Sequence, residues 1–351
     1  MKLYFYHTLP VIQQYQEWQN QKLPGHVLYG LTHFDKHGIE SVLHDYKKEK
    51  NRLEFMVRNW WKIITCKESF DVLYGTSFRG LEILVFLRAL GLYRKPIVVW
   101  HHTSVTTSSK KLVNLISTFF YKGFDELFFF NTKLIDYSVQ TGKIKREHAH
   151  LIHWGPDLDY YDRLKSEVHE QNSFFISTGR ENRDFLTLVK AFEGESASIE
   201  LFVPKINIKN GYRELLGDPN QFPNNIKLEY VTGLLTDELA RRVAAAAIVA
   251  ICFQKPPYAY TLGLTTLVEA FALGKPVLSS INPYWETDID AEGIGISLPY
   301  GDAEAWRKAI RYLSANPDKA IAMGQKARKL AETSFNLEIF TKELAEILNK
   351  L

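Results

Sequence analysis

Three stretches of the chain carry residues whose types and spacing suit chemistry. The first is Gly179-Arg180-Glu181-Asn182-Arg183-Asp184, between the apolar run SFFIST and the helical pattern FLTLVKAF. It sets two guanidinium groups at the carboxyl end of a strand. Arginine keeps its charge at neutral pH and offers a planar fork that matches phosphate oxygens. A helix-start salt bridge to Glu181 or Asp184 is the ligand-free alternative. The second is Glu269, inside YAYTLGLTTLVEAFALGKPVLSS, where Leu264 to Leu273 read as a helix apolar on nearly every face. A carboxylate there is costly unless something hydrogen-bonds it. Gly263 supplies permissive dihedrals ahead of the helix, and the free amides of Leu264 and Thr265 form an N-terminus suited to an anion. The third is Trp100-His101-His102-Thr103-Ser104, closing the run PIVVW. A histidine pair followed by hydroxyls is open to a structural or a functional reading.

Two acidic pairs, Asp157-Leu158-Asp159 and Asp288-Ile289-Asp290, have no other ligand types nearby and are read as structural rather than metal-binding. No Walker loop, GxGxxG or Ser-His-Asp pattern occurs, which argues against nucleoside triphosphate hydrolysis, dehydrogenation and serine hydrolysis.

These stretches must be held by repeated strand-then-helix units. LYFY, HVLYGL, DVLYG, PIVVW and ELFFF predict one parallel sheet. SFFIST, IELFV, IKLEYV, AIVAICF, PVLSS and GIGISL predict a second, with helices at Thr236–Ala246 and Ala303–Ser314. The expectation is an α/β protein of two doubly wound domains facing a cleft. Residues 1–160 form the first, 161–172 the linker and 173–334 the second, followed by a C-terminal helix at 335–351 packing back toward the first domain. Ligands of such sheets bind beyond the carboxyl ends of the strands.

The 351 residues suffice for two ordinary domains. Cys66 and Cys252 are far apart and suggest no disulfide framework, hence a reducing compartment. The N-terminus shows no signal-peptide pattern and no apolar run reaches the length of a spanning helix, so a cytoplasmic protein is expected. Residues 1–150 carry 21 basic and 13 acidic side chains, a balance of +8, against −5 in the remainder. Basic residues surround Trp60-Trp61, and Lys110-Lys111 precede Phe119-Phe120-Tyr121. This mixture fits either a solvated helix with its aromatics in the core or peripheral contact with an anionic inner membrane surface.

Taken together, the segments resemble the retaining glycosyltransferases of the GT-B type, specifically glycosyltransferase family 4. GRENRDFLTLVKAF is similar to that family's Gly-Arg segment, LTDELARRVAAAAIVAICF to its helix and strand of small residues, and ISLPYGDAEAW to its Pro-x-Gly-Asp turn. The stretch around Glu269 is similar to its paired-glutamate segment, and HHTSVTT to the phosphatidylinositol mannosyltransferase branch. The resemblance implies that Arg180 and Arg183 hold a donor diphosphate, that the Leu264 and Thr265 amides cap it, and that Glu269 accepts from the ribose. It also implies that His102 lies near the transferred sugar and Leu234 near the base, with Gly179, Thr261 and Gly263 completing the donor site. Thr103, Ser104, Trp60 and Trp61 are expected on the acceptor side.

The implied activity is metal- and cofactor-independent transfer from a nucleoside diphosphate sugar, UDP-sugar favoured, to a lipid or lipid-linked saccharide. A soluble or polysaccharide acceptor and a non-catalytic nucleotide-sugar-binding module are the alternatives, and no nucleic acid is expected as partner. Two positions depart from the family pattern. Thr261 replaces the first glutamate of the pair, and His7-Thr8-Leu9-Pro10 stands where a glycine-rich loop is usual.

Overall fold

The computed structural model describes residues 1–168, 174–205, 212–232, 237–256 and 259–351. Two six-stranded parallel sheets organise them. The first comprises β1 (Lys2–Tyr6), β2 (Glu40–Leu43), β3 (Val72–Gly75), β4 (Ile97–Trp100), β5 (Glu126–Phe129) and β6 (Ala149–Leu151), in the order β2-β1-β3-β4-β5-β6. The second comprises β7 (Phe174–Ser177), β8 (Ser198–Pro204), β9 (Ile226–Val231), β10 (Ile248–Ile251), β11 (Val277–Ser280) and β12 (Gly295–Leu298), ordered β12-β11-β10-β7-β8-β9. Central strands of such sheets are buried on both faces, so they read as unbroken apolar runs: β3, β4, β7 and β10 are buried at every residue.

Helices α1 (Val11–Gln19), α2 (Arg52–Ile64), α3 (Glu82–Ala89), α4 (Lys111–Tyr121) and α5 (Thr132–Gln140) flank the first sheet. Next come α6 (Leu158–Glu167), α7 (Phe185–Phe192), α8 (Tyr212–Leu216), α9 (Asp237–Ala245), α10 (Leu264–Ala272), α11 (Ala303–Ala315), α12 (Pro317–Thr333) and α13 (Leu337–Leu348). The chain closes on the first sheet. Phe340, Leu344 and Leu348 of α13 share a core with Leu3, Phe5 and Trp100, and Glu343 accepts the His153 amide at 2.8 Å. Much of the stretch expected as linker is helical, since α6 starts at Leu158 and runs to Glu167. Asp157 caps it by accepting the Tyr160 amide at 3.2 Å.

One expected strand is absent. HVLYGL forms a 3-10 turn at Gly25–Leu28, after which Tyr29 turns left-handed at φ 52°. Its apolar residues are explained by packing under α13, where Leu28 and Leu31 join the same core. The true second strand, Glu40–Leu43, was illegible because it is a half-exposed edge of four residues.

Helix α10 sits between the two cores, which is why its sequence is apolar all round. Leu267, Ala270 and Phe271 pack into the second domain, while Val268 packs with Trp100 and Trp154 of the first.

Candidate functional site

In each sheet the strand order reverses beside its first strand, between β1 and β3 and between β7 and β10. A crevice opens at such switch points beyond the strand ends. The two crevices face each other across a cavity of about 570 Å³, lined from the first domain by His7, Gln14, Tyr29 and His102, and from the second by Gly179, Arg183 and Glu269 among others. On one flank the domains touch directly, where Thr103 and Tyr260 form an antiparallel bridge.

Arg183 occupies the second switch point, bridging to Phe253 just beyond β10. Its side chain is 3% exposed. Nε donates to the Thr178 carbonyl at 2.7 Å and Nη2 to Thr266 Oγ1 at 3.1 Å, whereas Nη1 is buried without a hydrogen-bond partner among the described residues. Neither acid offered by the salt-bridge alternative engages it. Asp184 caps α7 through the Thr187 amide, and Glu181 accepts the Tyr260 hydroxyl at 2.7 Å. Burial draws the Arg183 pKa down to about 10, which leaves the group a cation at neutral pH. Two glycines make room for it. A Cβ on Gly179, which has φ 117°, would lie 2.1 Å from the guanidinium, and one on Gly263, φ 72°, would lie 3.2 Å from Nη1. A buried cation with a spare donor and no carboxylate is expensive unless an anion completes it.

The N-terminus of α10 faces the same space. No side chain of the described residues caps it. The Leu264 amide turns back to the Thr261 carbonyl at 3.4 Å, while the Leu262 carbonyl is taken by Asn282 and the Trp285 indole. The amides of Thr265 and Thr266 therefore lack backbone partners among the described residues. The unpartnered amides are thus one residue on from the expected Leu264 and Thr265, because the turn at Gly263 engages the Leu264 amide. Arg180 differs from Arg183: it is exposed at the rim and forms no salt bridge among the described residues.

Glu269 reaches the cavity floor with its side chain 21% exposed. Desolvation raises its pKa to about 7, partly offset by the Tyr161 hydroxyl and the charge of Arg183. Facing it from the first domain is His26, fully buried in the Gly25–Leu28 turn, whose Nε2 stands 3.8 Å from Glu269 Oε1. The Asp157 amide donates to His26 Nδ1, so Nε2 carries the proton and has no hydrogen-bond partner among the described residues. Burial lowers the His26 pKa to about 3, so the ring is neutral. Sequence reasoning missed this residue, which lay within a run read as strand.

The histidine pair divides. His101 is structural: Nδ1 meets the Thr103 carbonyl at 2.6 Å and Nε2 the Tyr121 hydroxyl at 2.8 Å. His102 lines the cavity. Its Nε2 donates to the Thr76 carbonyl at 3.0 Å, which leaves Nδ1 as an acceptor. Thr103 and Ser104 lie outside the cavity lining, as do Trp60 and Trp61 on α2. Leu234 lies outside the described residues. Thr261 lines the cavity with 7% exposure. The acidic pairs serve turns: Asp157 binds the Gly25 amide, Asp288 those of Asp290 and Ala291, and Asp290 that of Ser297.

Solved structures share this architecture along the whole chain. HepE of Anabaena in complex with UDP matches with a TM-score of 0.68 at 16% identity, covering 100% of both chains. Sucrose-phosphate synthase of Thermosynechococcus elongatus matches at 0.73 with 13% identity, covering 100% of this chain and 99% of that one. The fold is thus the GT-B arrangement of two Rossmann-like domains. Among curated proteins, the amylovoran biosynthesis glycosyltransferase AmsK of Erwinia amylovora is 36% identical over 85 residues, 24% of this chain and 21% of that protein. The chain thus matches about a fifth of that relative's length. No protein-family model matches the chain.

Proposed function

We propose that the protein is a retaining glycosyltransferase of the family 4 kind, transferring a sugar from a UDP-sugar to a lipid or lipid-linked saccharide. The observation that carries the reading is Arg183: a buried, unpaired cation with a free Nη1, set beside two unpartnered helix amides in an interdomain cavity. A diphosphate supplies the missing anion. Arg183 and the Thr265 and Thr266 amides hold it, Arg180 covers it from the rim, and Glu269 accepts from the ribose hydroxyls. As the glycosidic bond breaks, charge grows on the leaving phosphate. Fixed donors then stabilise the transition state more than the ground state. The diphosphate charge is met by cation and helix, so the reading assigns no metal. HepE, solved with UDP and with UDP-glucose, supports the choice of nucleotide. Retention and the mannosyltransferase-like branch rest on the motif resemblance.

The lipid acceptor draws support from an exposed apolar face of the first domain. Among the described residues, ten of the 18 exposed large hydrophobic side chains lie on or beside α2, α3 and α4. They include Leu53, Val57 and Trp61 on α2 and Leu112, Leu115 and Ile116 on α4. Trp60 instead packs on the core, and Phe119 and Phe120 pack against Phe86, so the exposed face is mainly aliphatic, with Lys110 and Lys111 at its edge. Among the described residues no helix is long and apolar enough to cross a membrane. The reading is of a cytoplasmic protein resting on an anionic surface. Anionic vesicles should retain the wild type and lose a Trp61→Ser, Leu115→Ser variant; equal retention removes the membrane from the proposal.

A thermal-shift screen with UDP-, GDP- and ADP-sugars tests the core of the reading, because a ligand of the folded state raises its stability. UDP-sugars should raise the melting temperature, and release of UDP should follow when acceptor is supplied. No shift with any nucleotide overturns the reading. Binding without turnover on any acceptor favours a non-catalytic module, the outcome to which Thr261, in place of the family's first glutamate, points.

A further inference from the structure

The Glu269 carboxyl is met from both sides of the domain boundary. On α6 the Tyr161 hydroxyl donates to it, and from the first domain His26 presents Nε2 at 3.8 Å from Oε1. The His26 ring is held in place. It is fully buried, with the rings of Trp154 and Tyr161 centred 5.8 Å and 6.0 Å away. Its Nδ1 takes the Asp157 amide at 3.3 Å, and Asp157 in turn accepts the Gly25 amide at 2.7 Å. The turn that carries His26 is thereby tied to the N-cap of α6, the helix that also carries Tyr161. What remains is Nε2–H, buried and without a hydrogen-bond partner among the described residues, beside a carboxyl oxygen of the other domain. A buried donor left unbonded is costly. An approach of about 1 Å brings this pair to hydrogen-bond distance.

We infer that His26 is a cross-domain positioning residue: its Nε2–H closes on the Glu269 carboxylate when that group takes the nucleotide, and holds it in register from the first domain. The inference rests on the transferase reading, which gives Glu269 to the ribose. An ionised carboxylate has about four acceptor sites, so Tyr161 and His26 can each take one without displacing the ribose hydroxyls. Burial keeps the imidazole neutral, with a pKa of about 3, so it donates without setting a second cation beside Arg183. The other groups around Glu269 are accounted for. Arg183 faces it from the turn after β7, and Tyr160 and Tyr161 on α6 have hydroxyls held neutral by burial. Asp237 meets the Tyr160 hydroxyl at 3.3 Å, and Arg328 of α12 binds the Ala272 carbonyl at the far end of α10. His153, paired with Glu343, and Glu286 line a separate pocket against Leu264, Val268 and Phe271.

Calorimetric titration of the full chain with UDP, wild type against His26→Phe, tests this from about pH 5.5 to about pH 8.5, either side of the Glu269 pKa of about 7. A donor to the ionised carboxylate helps only that form. The variant should therefore bind UDP about two- to threefold more weakly at the alkaline end and as well as the wild type at the acid end. The ratio of the two affinities cancels the titration of UDP itself. His26→Gln, whose amide nitrogen takes the place of Nε2, should recover part of the loss. In the Glu269→Gln background the effect of His26→Phe should be the same at every pH, which separates Glu269 from the neighbouring His153. A loss of equal size across the range, no loss at any pH, or a pH-graded loss that persists in the Glu269→Gln background overturns the inference. Absence of UDP binding in the wild type overturns the transferase reading itself. Should His26→Phe fail to fold, nitrogen NMR of the histidine-labelled wild type carries the test: UDP at alkaline pH should shift the His26 Nε2 resonance, and an unmoved resonance overturns the inference.

Discussion

The second-domain wall of the cleft holds a buried guanidinium with no carboxylate partner among the described residues, whereas the first-domain wall holds neutral imidazoles and a carboxamide. The two walls come from six-stranded parallel sheets of different strand order, β2-β1-β3-β4-β5-β6 against β9-β8-β7-β10-β11-β12, yet each opens at the switch point beside its first strand. What differs is the loop that follows that strand. After β7 the chain makes a glycine turn at Gly179 that allows Arg183 to fold back under it, and after β1 it places His7 with its Nδ1 tied to a nearby amide. Charge placement at two strand-end loops thus yields a charged wall suited to an anion and a neutral wall suited to hydroxyls.

The largest expected effect comes from abolishing the charge on the first of these walls. Arg183→Met should weaken UDP-sugar binding by about 100-fold or more, the loss of a charge-assisted contact to phosphate. Without ligand its melting temperature should equal or exceed that of the wild type, since replacing an uncompensated buried cation by an apolar side chain is neutral or favourable. A variant that melts early with unchanged affinity would make Arg183 a structural residue and erase the contrast between walls.

Glu269→Gln should come next, and its signature is pH dependence. The carboxyl has a pKa of about 7 in the folded protein against an ordinary value of 4.5. A raised carboxyl stabilises the ligand-free fold fully below pH 4.5, and that stability is lost as pH rises through 7. Chemical denaturation should show the wild type losing roughly 1–3 kcal/mol over that window relative to Glu269→Gln. Ribose hydroxyls donate to the ionised form, so UDP affinity of the wild type should rise across the same window relative to the variant. A flat difference between the two would detach Glu269 from the nucleotide.

Smaller effects should sharpen the gradient within the charged wall. Arg180→Ala, at the exposed rim, should reduce UDP-sugar affinity about three- to tenfold, because solvent screens its charge, with no change in melting; titration calorimetry separates this from Arg183. The smallest is His26→Phe, expected to alter UDP affinity about two- to threefold by removing a first-domain donor that faces Glu269. Calorimetry on wild type and variant reads it, and an effect as large as that of Arg183→Met would place His26 in direct contact with the nucleotide.

Much of the charged wall was legible because its signals are local. Two arginines follow β7 within six residues, and a carboxylate interrupts an apolar helix; both survive translation into space. The neutral wall was not. His7 stood out only as a departure from a glycine-rich loop, nothing in the sequence singled out Gln14, and His26 lay in a run read as strand. Trp60 and Trp61, adjacent in sequence, go to the core and to solvent. No periodicity distinguishes them without the sheet they pack on.

The sequence alone determined the two parallel sheets, the arginine turn and the buried glutamate, because apolar runs, glycines and charge patterns act over one or two turns of chain. Tertiary structure decided which arginine is buried, which histidine of the pair faces the cleft, and which nitrogen of each imidazole carries its proton. The reason is physical: burial and tautomer are set by partners far away in the chain. Thr76 fixes His102 across 26 residues and Asp157 fixes His26 across 131. The chemistry of the cleft is written in those long-range contacts.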